Sequence, residues 1–339
     1  MKVFHAPEAA LHDPSFRISY GVPAQNAERP RRAELLLEAV TRLGLVPEAP
    51  PQAPRRLLEA VHSGELLTFL ETAWQRWRDL PGAGPEVVGN VFPRVPFASY
   101  PDSLLGRAGW HMGDTAAPIG EHSWRAALRS VDCAVAAADA VLSGERTAYA
   151  LARPPGHHTS RDVMAGHCML NGSAIAAERL RERHDRVAVL DIDVHHGNGT
   201  QDIFYERADV LTVSVHADPH DYYPFFTGYG GETGHGPGEG FHRNLPLPRT
   251  TGDDAWCAAV ADALETVAAY SPGALVVSLG LDAHENDPLA GMKVTFEGFR
   301  RAGALIASAG YPTALVQEGG YLSDDLSRSL EAYLAGAMT

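Results

Sequence analysis

Two aspartates and two histidines crowd into DIDVHHGN (191–198), directly after the apolar run VAVL. In an extended chain alternate side chains share a face, so Asp191, Asp193 and His195 project together while Ile192 and Val194 face the opposite, apolar layer. A second apolar run, ending in SLGLDAHEND, brings Asp282. Two carboxylates and one imidazole form a three-ligand set suited to zinc, with a fourth position open to water, as in catalytic rather than structural zinc sites. Burying such groups together is costly unless a cation compensates them. Taken alone, DIDVHHGN reads equally well as an acidic cap leading into a helix.

Two further segments supply groups for acid–base work. In RPPGHHTS (153–160) the prolines and glycine hold the adjacent imidazoles of His157 and His158 in a stiff loop. Hydrolysis of an amide at a metal needs a base for the attacking water and an acid for the leaving amine, and imidazole titrates in the useful range. In VQEGGYL (316–322) two glycines precede Tyr321, where backbone freedom lets a phenol reach a substrate carbonyl and donate to its developing oxyanion. Each segment by itself also fits a surface turn.

These groups need a scaffold. The apolar runs 147–152, 187–192, 210–215, 274–281 and 313–318 predict buried strands, and the patterns at 123–144, 173–184, 253–270 and 296–310 predict helices between them. The alternation predicts an α/β fold, a mostly parallel sheet with helices on both faces, whose ligands bind at the carboxyl ends of the strands. The chemistry-bearing segments all follow strands. Residues 79–101, with five prolines and little periodicity, predict a long irregular loop that lines a site or meets another subunit. The Pro-rich stretch 46–54 reads as a connection between helices.

The remaining 339-residue composition bounds the function. A net charge of −14 argues against nucleic acid as a partner, because phosphate binding depends on a basic surface. No apolar stretch is long enough to span a membrane or form a signal peptide, so the cytoplasm is the expected location. Cys133, Cys168 and Cys257 are widely spaced, which predicts reduced thiols rather than a disulfide framework.

In this order along the chain, RPPGHH, DIDVHHGNGTQDIFYE, GLDAH and EGGY resemble the zinc-dependent histone deacetylase superfamily. Length, FLETAWQRWRDL (69–80) and NGTQDIFYERADV (198–210) look most like its bacterial acetylpolyamine amidohydrolases. The resemblance implies one domain over 1–339 with the arginase/deacetylase fold, a three-layer α/β/α sandwich. It implies Asp193, His195 and Asp282 as zinc ligands and Tyr321 as the carbonyl-polarising phenol. His158 becomes general base and acid, and His157, oriented by Asp191, its electrostatic partner. Asn198 stands where class I enzymes carry an aspartate and holds His158 with less bias toward the cation. The family's potassium ion falls on Asp191, Asp193 and Ser214 with the backbone carbonyls of His195 and Val215.

The channel positions implied are His167 and Tyr223, where the family sets two aromatic walls, Leu289 at the mouth and Asp114 as the rim acid. His167 departs from the aromatic pattern. The inserted loop at 79–122 implies a homodimer. The expected reaction is hydrolysis of a small cationic acetylated amine, an acetylpolyamine or acetylated diamine, to acetate and free amine. The alternatives are a protein or peptide acetyl-lysine deacetylase, a binuclear manganese ureohydrolase, which needs ligands for a second metal, and a non-catalytic acyl-amine binding protein.

Overall fold

The structure is a computed structural model and describes residues 1–93 and 97–339. Eight strands form one sheet: β1 (Lys2–Phe4), β4 (Pro47–Glu48), β5 (Thr147–Ala150), β6 (Val187–Asp191), β7 (Val210–Ala217), β8 (His242–Leu247), β9 (Ala274–Leu279) and β10 (Thr313–Gln317). They lie in the order β4-β1-β5-β10-β9-β6-β7-β8, and every neighbouring pair is parallel. A separate antiparallel hairpin joins β2 (Phe16–Ser19) to β3 (Val22–Gln25).

The helices are α1 (Arg31–Arg42), α2 (Arg55–Val61), α3 (Gly64–Trp77), α4 (Leu104–His111), α5 (Ser123–Leu142), α6 (Gly172–Arg181), α7 (Asn198–Phe204), α8 (Asp253–Tyr270), α9 (Phe296–Ser308) and α10 (Leu326–Ala337). Parallel strands need crossovers, and covering helices make both sheet faces apolar. Strand residues therefore alternate between two cores. Val187 and Val189 pack with α2 to α6, whereas Ala188, Leu190, Ile192 and Val194 pack with α1, α8, α9 and α10. The result is the expected three-layer α/β/α sandwich.

The alternation that fills both cores also sets the direction of the polar groups. With Leu190 and Ile192 in one core, Asp191 must face the other side, toward α6. The long crossover α5 contributes small residues such as Ala134 and Ala137, fully buried, which let the helix lie close on the sheet. Asn171 caps α6 by accepting from the Ala174 amide at 2.9 Å, while its Nδ2 donates to Thr159 O and Thr200 Oγ1, each at 3.0 Å. One side chain thus fixes the helix start and the end of the His157–His158 loop together.

Two sequence expectations change. The loop at 79–122 is not irregular throughout: α4, capped by Ser103 through the Gly106 amide at 3.1 Å, interrupts it. Its positions 94–96 lie outside the described residues. The stretch 46–54 is more than a connection, since Pro47–Glu48 forms the edge strand beside β1. The cysteines are free and buried, and among the described residues no helix is long and apolar enough to cross a membrane.

Candidate active site

Four neighbouring strands, β5, β10, β9 and β6, deliver every singled-out segment at their carboxyl ends. The segment after β6 carries Asp193 and His195, that after β9 carries Asp282, that after β5 the two histidines, and that after β10 Tyr321.

His195 Nδ1 lies 3.0 Å from Asp193 Oδ1 and 3.2 Å from Asp282 Oδ2, and all three residues are buried. Backbone amides aim the carboxylates. Asp193 accepts from Gly319 at 2.7 Å and His195 at 2.9 Å, and Asp282 Oδ1 accepts from Val194 at 3.1 Å. Asp282 Oδ2, however, is buried without a hydrogen-bond partner. The cradle is closed from above by glycine: a Cβ on Gly319 would sit 2.1 Å from Asp282 Oδ2.

These residues fit a metal ion. An orphaned buried carboxylate oxygen is expensive unless something occupies the space before it. The observed donor spacings are close to the edge of a tetrahedron about a zinc ion, about 3.3 Å. Burial would lower the His195 pKa, but the nearby carboxylates of Asp193 and Asp282 raise it to about 9. The proton on Nδ1 thus stands where a cation would.

The histidine pair is split electrostatically. Burial opposes charge on His157, yet Asp191, whose Oδ2 is 2.9 Å from Nδ1, and Asp193 raise its pKa to about 10. His158 is pushed well below the ordinary value by burial and by the charge of His157 and His195, with the Asn198 hydrogen bond in partial opposition. The rings lie 4.1 Å apart. Asn198 Oδ1 accepts from His158 Nδ1 at 2.7 Å, which leaves Nε2 with a free lone pair. Gly166 gives His158 room, since a Cβ there would meet its Cδ2 at 2.3 Å.

Tyr321 is held through its backbone. Its amide donates to Asp287 Oδ2 at 2.8 Å, and Arg32 donates to the carbonyls of Gly320 at 2.5 Å and Glu318 at 2.7 Å. The Arg32 guanidinium also lies 4.7 Å from the centre of the Tyr321 ring. Burial raises the phenol well above its ordinary pKa, with Arg32 opposing. Arg32 pairs with buried Glu28, whose other oxygen meets Arg153 Nε at 2.5 Å.

His158, His167, His195, Tyr223, Leu289 and Tyr321 line one cavity of about 460 Å³. His167 is kept neutral, its pKa lowered to about 3 by burial and by Arg17 and Arg32. Asp114 stands behind this wall rather than free at the rim. Its oxygens accept from Tyr223 Oη at 2.7 Å, Gly166 N at 3.0 Å and Ala116 N at 2.8 Å. Asp191 and Ser214 are paired in register across β6 and β7, which puts two of the expected potassium-site residues side by side.

Sequence reasoning missed Arg32, Glu28, Asp287 and Glu318. Glu318 accepts from the amides of Gly156 at 2.6 Å and His157 at 3.0 Å and from Ser173 Oγ at 2.8 Å. It lies beside His157 and Cys168 in a second grouping of ligand-type atoms, but these bonds show it serving as a strut for the histidine loop. Its signal was available: an acid directly before Gly-Gly-Tyr at a buried strand end. Arg32 and Glu28 carried no local signal.

The three-layer sandwich with this polar floor at its strand ends defines an arginase/deacetylase-type α/β/α scaffold. A histone deacetylase domain model matches residues 26–337, and the chain belongs to that family. It is 43% identical over 337 residues to the acetylpolyamine amidohydrolase of Burkholderia pseudomallei, covering 99% of this chain and 98% of the relative. It is 38% identical to the acetylpolyamine amidohydrolase of Mycoplana ramosa, covering 99% of each. The crystal structure of acetylpolyamine aminohydrolase from Burkholderia pseudomallei superposes with a TM-score of 0.95 at 42% identity, over 99% of this chain and 98% of that one.

Proposed function

We propose that this chain is a zinc-dependent amidohydrolase that releases acetate from N-acetylated amines, with acetylpolyamines and small acetylated diamines as its leading substrates. The observation that carries the reading is the placement of His195 Nδ1 between Asp193 and Asp282 on the floor of a cavity that His158 and Tyr321 also line. Two close relatives bear the name acetylpolyamine amidohydrolase.

Asp193, His195 and Asp282 hold the metal, which when bound polarises the substrate carbonyl and makes water a better nucleophile. His158 accepts the water proton on Nε2, with Nδ1 tied to Asn198. Tyr321 donates to the oxygen that gains charge as the carbon becomes tetrahedral. His158 returns the proton to the amine nitrogen as the C–N bond breaks, so water and amide become acetate and amine. His157, charged and fixed by Asp191, favours the return of that proton. His167 and Tyr223 flank the alkyl chain, and Leu289 gives the mouth an apolar edge. Asp191, Asp193, Ser214 and the carbonyls of His195 and Val215 would hold the potassium ion, which would offset part of the carboxylate charge.

The same reading treats 1–339 as a single cytoplasmic domain that pairs as a homodimer. Exposed Val91, Phe97 and Leu105 in the 79–122 segment support the dimer, because apolar side chains on a long loop favour a covering partner. The test is a comparison of acetate release from acetylputrescine, acetylspermidine, acetylspermine and an acetyl-lysine peptide by zinc-loaded protein. Faster turnover of the peptide than of every small amine would favour the acetyl-lysine alternative.

A further inference from the structure

The cavity mouth carries charge that the proposed chemistry leaves unused. Arg17 on β2 and Arg249, in the turn before α8, both line it. Among its described lining residues Asp221 is the only carboxylate. Asp114 is engaged behind the wall by three internal donors.

Arg17 is half-buried and fixed by the hairpin, where the following amide, Ile18 N, donates to Thr115 Oγ1 at 3.2 Å. Its Nε is buried without a hydrogen-bond partner. The neighbouring Arg29 takes Asp13 at 3.1 Å, so among the described residues Arg17 has no carboxylate partner. Arg17 also lines an adjoining cavity of about 550 Å³ that shares Leu289 and Tyr321 with the first, so it stands where the two meet. Arg249 lies 5.0 Å over the Tyr222 ring and donates to Ala290 O at 2.9 Å. That bond occupies one of the five N–H donors of a guanidinium.

In a chain of net charge −14, exposed arginines find acids easily, and most here do. Among the described residues neither Arg17 nor Arg249 has a carboxylate partner, and both stand at one entrance with Asp221 as the one acid of the lining. A substrate ending in a carboxylate meets preformed forked donors there, while Asp221 on the same lining stays open to an ammonium.

We propose that the cavity also hydrolyses N-acetylated amino carboxylates, with the acetamide on the floor, the alkyl chain between His167 and Tyr223, and the carboxylate bound by Arg17 and Arg249. This rests on the amidohydrolase reading and extends its substrate class. The reaction is unchanged: water adds to the amide carbon, the C–N bond breaks, and the amine takes the proton.

The test compares kcat/KM of the zinc-loaded protein on three acetamides of equal chain length. These are N-acetylhexylamine, N-acetylcadaverine and 6-acetamidohexanoate, in which five methylenes lead to a methyl, an ammonium and a carboxylate. Salt is varied from about 20 to about 300 mM, which shortens the screening length several-fold. The expected result is that the carboxylate exceeds the neutral substrate at low salt and loses that lead as salt rises. Arg17→Gln combined with Arg249→Gln lowers the carboxylate-to-ammonium ratio about tenfold, with the neutral substrate reporting whether the variant is folded. A carboxylate slower than the neutral substrate at low salt, or a ratio unmoved in the variant, overturns the proposal. Failure to hydrolyse all three would instead overturn the amidohydrolase reading, and this proposal with it.

Discussion

His158 Nδ1 lies 2.7 Å from Asn198 Oδ1, and because an amide oxygen accepts only, the ring proton sits on the side away from the cavity floor. This contact selects the tautomer that can act as a base. Asn198→Asp replaces a neutral acceptor with a charged one and stabilises the imidazolium. The acid limb of the kcat/KM profile then moves to higher pH, so activity at pH 6 falls relative to pH 8. A profile that superposes on that of the parent protein would remove His158 from the role of base.

The phenol and the metal cradle separate cleanly by measurement. Tyr321→Phe lowers kcat by about 100- to 1000-fold, the usual cost of losing one oxyanion donor, with bound zinc unchanged by elemental analysis. Asp282→Ala removes the carboxylate whose Oδ2 lacks a partner and abolishes zinc retention after dialysis. Stoichiometric zinc in that variant would show the ligand set to be wrong.

Arg32 and Glu28 are both fully buried, and removing one partner strands the other. Glu28→Gln costs about 3–5 kcal/mol of stability, read from the urea midpoint. Because Arg32 also carries the carbonyls before Tyr321, the same variant lowers kcat more than it changes KM.

Stability falls with acid through histidines buried in the neutral form. His62 accepts from the Asn171 amide and bonds Ser160 O, each at 3.0 Å, and burial lowers its pKa to about 4. Burial, reinforced by Arg153, lowers that of His12 to about 3. Unfolded histidine titrates near 6.5, so between about 6.5 and these lower values the unfolded chain binds more protons. Full stability is present above pH 6.5 and declines as pH drops toward 4. Urea midpoints at pH 8, 6 and 5 should fall in that order, and His62→Gln should shallow the slope.

What could be read along the chain was what repeats locally. The alternation Leu190, Asp191, Ile192, Asp193 assigns ligands to one face, and the structure places Ile192 in the opposite core. Helix 253–270 was legible to the residue. β8 was not: HRNLPL contains a proline, tolerated because β8 is an edge strand paired on one side only. β1 is three residues long, too short for periodicity. Arg32 reaches carbonyls 286 and 288 positions away, and no local pattern encodes such a contact. The unpaired arginines were hidden for the same reason, since pairing is a property of the folded surface.

The sheet order has a consequence for biogenesis. β10, the last of these eight strands in chain order, lies between β5 and β9 in the middle of the sheet. A nascent chain that has not yet emerged past residue 317 therefore lacks the strand that joins the segment of His157 and His158, after β5, to that of Asp282, after β9. Assembly of these groups in one place therefore waits on the insertion of β10 between two strands that precede it in the chain.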